Sequence, residues 1–390
     1  MSKHISFLAV PAHGHVNPSL SLVAELVRRG YRVTFAINSE FAKQVTEAGA
    51  TAVLYDSTFP SESNPSREWP DDDDVVAAQR LFHDEFIAVT PRIEAAYADD
   101  LPDLVVYDIG AWQAPVLAKK WGVPAIQLSP TFVAYEGWAE DFGIDLEAAP
   151  DPAIAAMEAE LEAFAARVGV DISASEVKYQ PKRCVVTIPR AWQLRGETVD
   201  ERYTFVGPSV DERAHQGEWQ APGDKPVLLV SLGSAYTDQL DFYRQCVEAF
   251  TGMGWHVLLS VGRFVDPRDL GEVPDDIEVV RWVPQVSVLS QASAFVTHGG
   301  MGSTMEGLYF GVPMVAVPQA VDQPLNGARL VELGLGAHLP KDEVTPEALR
   351  AAVSRVSSDP QIAANLAKMR VEIRAAGGAR AAADVVESYL

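Results

Sequence analysis

Two histidines one residue apart, His13 and His15 in AVPAHGHVNPSL (9–20), stand between a short apolar run and a helical pattern. Imidazoles titrate near neutrality, so such a pair could ligate a metal, act as a base or be merely solvated. A second group lies far downstream. Between Arg281 and Asp322 the only formally charged side chain is Glu306, and the only histidine is His298. A lone carboxylate in so apolar a run is costly unless it has a partner or a task. His298, Gly299 and Gly300 end a predicted strand, while Gly302 and Ser303 open a predicted helix. The first amides of that helix have no intrahelical acceptor, and the glycines let an anion approach the backbone. The turn therefore suits a diphosphate, with a ribose hydroxyl pair on Glu306 one turn further in. A plain tight turn is the competing reading.

A dinucleotide fingerprint fits less well, because its third glycine would fall at Met305 and Glu306 would stay unexplained, although Asp322 has the right spacing. No G-K-[ST] follows the glycines, so a P-loop is excluded. Trp282 closes the preceding strand, where a tryptophan is core packing or a stacking platform for a base.

These groups need elements to carry them. Apolar runs at 5–10, 31–37, 52–54, 102–108, 124–129 and 184–189 alternate with helical periods, among them 19–29, with Pro18 in its first turn and Gly30 past its end, and 112–121. The polar, Pro- and Gly-rich stretch 207–226 reads as a linker. Alternation then restarts with strands at 227–234, 256–262, 277–283, 294–299 and 314–319. Helices are expected over 239–251, from 302, and near 323–333, 346–357 and 360–389, the last broken at Gly377–Gly378. Continuous apolar runs between helices indicate parallel strands covered on both faces. The expected fold class is α/β, with two doubly wound, Rossmann-like domains facing across a cleft. Residues 1–206 form the first and 227–375 the second, and a final helix at 376–390 packs back on the first. Both unusual turns fall at carboxyl ends of strands, where ligands bind in such sheets.

At 390 residues the chain is long enough for two domains. A formal net charge of −23 argues against nucleic-acid or anionic-membrane partners. Cys184 and Cys246 match no metal spacing and read as buried thiols of a cytoplasmic protein. The aspartates at 71–74 read as a solvated charge run rather than a metal site.

Taken together, WVPQVSVLSQASAFVTHGGMGSTMEGLYFGVPMVAVPQAVDQ (282–323) resembles the donor-binding signature of inverting glycosyltransferases that use nucleotide-diphosphate sugars. AHGHVNPSL, VSLGSA, WVPQ and PQAVDQ are most similar to the actinobacterial macrolide-inactivating group, the oleandomycin glycosyltransferases. The resemblance implies a GT-B fold and a UDP-sugar donor. Trp282 would then stack on uracil, with Val283 and Gln285 contacting base or ribose. His298, Gly302 and Ser303 would hold the diphosphate, Glu306 the ribose, and Asp322 and Gln323 the sugar hydroxyls, with Gly300 and Ser234 also among the donor-binding residues. Plant relatives have Trp-Asn where this chain has Met301-Gly302.

Inverting transfer needs a base for the acceptor hydroxyl and a carboxylate to orient that base. The family pattern H-x-x-P selects His15, before Pro18, and leaves His13 to shape the turn or the acceptor pocket. LVVYD ends a later strand of the same sheet at Asp108, which supplies the carboxylate. No third ligand lies near the histidines and no D-x-D motif follows a strand, so the expectation is transfer without a metal or other cofactor. The aromatics Phe59, Phe82, Trp112, Phe132, Tyr135 and Trp138 suggest a roomy apolar acceptor site for a macrolide or polyphenol. Expected partners are the UDP-sugar and this small apolar acceptor, with the chain a monomer or homodimer. Other readings are a sugar-nucleotide epimerase, a non-catalytic sugar-nucleotide binder and, less well, a NAD-dependent dehydrogenase.

Overall fold

The computed structural model describes residues 2–61, 64, 67, 69–70, 74–141, 151–210 and 217–390. Asp71 to Asp73, and residues 211–216 of the linker, lie outside them. The chain divides into two compact units, one of residues 1–209 with 376–390 and the other of 210–375.

Unit 1 carries strands β1 (His4–Leu8), β2 (Arg32–Ile37), β3 (Thr51–Leu54), β4 (Leu104–Asp108), β5 (Ala125–Ser129), β6 (Cys184–Val186) and β7 (Tyr203–Phe205). Its helices are α1 (His13–Arg28), α2 (Ala42–Glu47), α3 (Val75–Ala96), α4 (Gln113–Trp121), α5 (Trp138–Asp141), α6 (Pro152–Arg167) and α7 (Ala174–Lys178). The strands form one parallel sheet in the order β3-β2-β1-β4-β5-β6-β7. β1 and β4 are buried along their whole length because helices cover both faces, which explains their unbroken apolar composition.

Unit 2 repeats the plan with β8 (Val227–Ser231), β9 (His256–Ser260), β10 (Ile277–Val280), β11 (Ala292–Thr297), β12 (Met314–Ala316) and β13 (Gly336–His338). Its helices are α8 (Leu240–Phe250), α9 (Gln285–Leu289), α10 (Met301–Phe310), α11 (Gln323–Glu332), α12 (Pro346–Ser358) and α13 (Pro360–Ala375). The parallel strand order is β10-β9-β8-β11-β12-β13. In each sheet the order reverses beside the first strand, between β1 and β4 in one and between β8 and β11 in the other. Such switch points are where open α/β sheets bind ligands, beyond the carboxyl ends of the strands. No described helix is long and apolar enough to cross a membrane.

One expectation is corrected. The first helix does not begin at 19 but at His13, with Ala12 as its N-cap, so both histidines lie in its first turn and Pro18 lies inside it. The reason is local. Pro18 has no N–H to give the Gly14 carbonyl, yet the preceding turn closes by itself, with the His15 and Val16 amides donating to the Ala12 carbonyl at 3.0 and 2.9 Å.

The last helix, α14 (Gly378–Glu387), belongs to unit 1 and packs on α1. An ion network joins them. The buried Glu25 carboxylate accepts from Arg28 and Arg29, and Arg29 Nη1 reaches Asp384 and Glu387 at 2.7 and 2.6 Å. The Arg28 hydrogen bonds, with Arg29 assisting against the cost of burial, hold the Glu25 carboxyl down at about 2. Its stabilising contribution is therefore complete above its ordinary value of 4.5 and disappears as the pH falls toward 2. The difference in urea midpoint between wild type and Glu25→Gln should close over that window. Arg29→Met should cost about 2 kcal/mol and speed hydrogen exchange at the α14 amides.

Candidate functional site

In unit 1 the switch point is built from two strand ends. The last β1–β4 pair is Leu8 with Tyr107, and Asp108 is the next residue of β4. The chain leaving β1 turns at Val10–Ala12, with the Ala12 amide on the Val10 carbonyl at 2.8 Å, and enters α1. This brings His15 over Asp108. His15 Nδ1 lies 2.9 Å from each carboxylate oxygen, with the two side chains 29% and 3% exposed. A carboxylate can only accept, so Nδ1 carries the proton and the neutral ring keeps its basic lone pair on Nε2.

Asp108 is itself fixed. Its Oδ1 also accepts from the Gly110 amide at 2.9 Å, which closes the turn after β4. That turn requires glycine, because a Cβ at 110 would lie 2.6 Å from Val10 and 2.8 Å from Phe82. The His13 ring packs edge-on against Phe41 at 5.0 Å.

The six aromatics divide. Phe59, Phe82 and Trp112 are brought together, with ring centroids 5.2 and 5.4 Å apart, and this row reaches the Gly110 turn through Phe82. Phe59 and Trp112 are buried as core, whereas Phe82 is half-buried. Phe132, Tyr135 and Trp138 lie together on the segment after β5. Phe132 is half-buried beside Trp192, Tyr135 is buried with its hydroxyl on Asp141 at 2.9 Å, and Trp138 is exposed.

In unit 2 the second switch point has the same plan. Ser231 pairs with Thr297 at the ends of β8 and β11, and His298 is the next residue. Gly233 and Gly300 flank the imidazole so closely that a side chain at either would collide with it. Burial pushes the His298 ring down to about 4, with the Ser231 carbonyl pulling the other way, so it is uncharged at neutral pH. It therefore brings no positive charge to a neighbouring anion.

Gly299, at φ 80°, reverses the chain, and Gly300 caps α10. The Thr304 amide is paired with the Gly300 carbonyl at 2.9 Å, which leaves the amides of Met301, Gly302 and Ser303 without acceptors inside the helix. A Cβ at Gly302 would meet nothing within 4 Å, so the helix mouth is open. These amides and the helix dipole favour an anion there.

Glu306 is buried one turn deeper. Gln285, at the start of α9, donates from Nε2 to Glu306 Oε2 at 2.6 Å and to Ser303 Oγ at 3.1 Å. Sequence spacing gave no sign of this link between two helices. Trp282 precedes α9 and is 63% exposed, so it is not the core residue its type would suggest, while Val283 beside it is buried. Ser234 is exposed on the segment after β8. Asp322 caps α11 and accepts from Asn326, and Gln323 Oε1 accepts from the amides of Gln319 and Ala320. Among the described residues, no three His, Cys, Asp or Glu side chains are grouped to hold a metal ion.

Gly110, Gly233 and Val321 are structural participants that sequence reasoning missed. Gly110 could have been noticed two residues beyond the terminal carboxylate of an apolar strand. Val321 carried no signal, since a β-branched residue at φ 58° is unexpected.

Comparison with known proteins agrees with this plan. Residues 261–387 match the family model described as erythromycin biosynthesis protein CIII-like, C-terminal domain. The chain is 44% identical to oleandomycin glycosyltransferase of Streptomyces antibioticus, covering 99% of this chain and 91% of that protein. It is 40% identical to NDP-glycosyltransferase YjiC of Bacillus licheniformis, covering 100% and 98%. Among solved structures, the glycotransferase of kitacinnamycin is 44% identical with a TM-score of 0.89, covering 100% and 99%.

Proposed function

The chain belongs to the oleandomycin glycosyltransferase-like family of GT-B sugar-transferring enzymes, and from that premise we propose its reaction. It moves a hexose, glucose from UDP-glucose, to a hydroxyl of a macrolide or another bulky apolar or phenolic natural product. Where that product is an antibiotic, the added sugar confers resistance. The observation that carries the reading is the His15–Asp108 pair at the switch point of unit 1, since binding alone has no use for a carboxylate-oriented base.

In this reading His15 Nε2 takes the acceptor proton as the acceptor oxygen attacks the anomeric carbon in line. The bond from that carbon to the diphosphate breaks, and the configuration inverts. Asp108 steadies the imidazolium that forms. The departing diphosphate is taken up by the α10 amides at Met301, Gly302 and Ser303, by His298, and by Gly300 and Ser234. Trp282 stacks on uracil, Val283 and Gln285 read base or ribose, and Glu306 accepts from the ribose hydroxyls. Asp322 and Gln323 hold the sugar. Phe82, Phe132 and Trp138, backed by Phe59, Trp112 and Tyr135, face the acceptor. No metal takes part, so EDTA leaves the rate unchanged.

The test is incubation with UDP-glucose, with and without a macrolide or a flavonol, followed by product masses. An acceptor heavier by one hexose is expected. An altered hexose formed without acceptor would instead indicate an epimerase. Glu306→Ala should weaken UDP binding about tenfold, read by calorimetry, because two ribose hydroxyls lose a charged acceptor.

A further inference from the structure

Asp322 is held by a residue one turn further along its own helix. Asn326 is completely buried, and its Nδ2 donates to Asp322 Oδ2 at 3.0 Å. The turn that delivers Asp322 is strained. Val321 sits at φ 58°, a left-handed conformation that β-branched residues disfavour, and it is 67% exposed. Strain of this kind persists only where the surroundings over-determine it, and it concentrates at ligand sites.

Two contacts over-determine it here. Gln323 Oε1 is committed to the backbone, accepting from the amides of Gln319 and Ala320 at 2.8 and 3.1 Å. The Gln323 carbonyl also lies against Gly299, where a Cβ would approach it to 3.3 Å. The turn that carries Asp322 is thereby seated on the turn that opens α10. Gln323 Oε1 is thus taken up by the turn itself, and the carboxylate of the pair is that of Asp322.

We propose that Asn326 is a positioning residue for the transferred sugar, fixing the Asp322 carboxylate so that it meets the sugar hydroxyls, without itself touching the donor. The proposal rests on the reading of Asp322 as a sugar contact. It separates the grip on the sugar from the grip on the nucleotide, which Trp282, Gln285 and Glu306 supply.

Calorimetric titration of the full chain with UDP and, separately, with UDP-glucose tests it in wild type, Asn326→Ala and Asn326→Asp. Asn326→Ala should bind UDP as wild type does and UDP-glucose about tenfold more weakly. Asn326→Asp keeps the shape but sets two carboxylates face to face. Its deficit for UDP-glucose should be larger at pH 7.5 and should shrink at pH 5.5, where the pair can share a proton. Melting curves establish that each variant is folded, and either one alone carries the comparison. Equal weakening of UDP and UDP-glucose, or no weakening of either, overturns the proposal. A wild-type chain that binds neither nucleotide removes the donor reading itself, and the proposal with it.

Discussion

His15→Ala lowers transfer to hydroxyl acceptors by about 10²–10⁴, the usual contribution of a positioned general base. The loss appears in kcat, while the affinity for UDP, measured by calorimetry, stays within about twofold of wild type. The reason lies in the division of tasks between the units. The proposed nucleotide contacts belong to unit 2, whereas His15 belongs to the first turn of α1 in unit 1. His15 is partly exposed and supports no core cluster, so its truncation opens no cavity in the sheet. Near-normal turnover in this variant would remove His15 from its role.

Asp108→Asn has a comparable effect for a different reason. Asparagine preserves the shape, and its oxygen can keep the bond from the Gly110 amide that Oδ1 now accepts. The amide NH₂ must then face His15 Nδ1, which at present lies 2.9 Å from both carboxylate oxygens. A donor opposite Nδ1 forces the ring proton onto Nε2, the atom that has to accept from the substrate. Reversal of the tautomer in an oriented imidazole of this type lowers kcat by up to about 10⁴. Steady-state kinetics with one macrolide and one flavonol should show the larger fractional loss for the macrolide, whose aliphatic hydroxyl is much less acidic than a phenol and depends more on the base. An Asp108→Asn enzyme within tenfold of wild type would mean that the carboxylate serves only to close its turn.

Much of this arrangement is legible in the sequence because its cause is composition. Strands such as β4, β8 and β11 are sandwiched between helices, so they read as unbroken apolar runs, and the residues just after them are placed by that fact alone. Asp108 and His298 could be located this way. Glu306 stood out because a carboxylate in an uncharged run needs a reason.

What was not legible depends on tertiary contact or on short elements. β7 and β13 are three-residue strands at the far edges of their sheets, too short to show a period. The early start of α1 was hidden because Pro18 fits a first helical turn and Ala12 offers no capping side chain. The Gln285–Glu306 bond joins two helices 21 residues apart, and no local pattern encodes it. Burial also decided what residue type left open. Phe59 and Trp112 are packed as core, while Trp282 faces solvent.

The most direct measurement compares kcat/KM of wild type and His15→Ala across phenolic acceptors of graded acidity. If His15 removes the acceptor proton, the deficit of the variant should be largest for weakly acidic phenols. It should fall toward unity for phenols already ionised at the assay pH, which need no base. A deficit of the same size across the whole series would show that the imidazole does something other than take that proton.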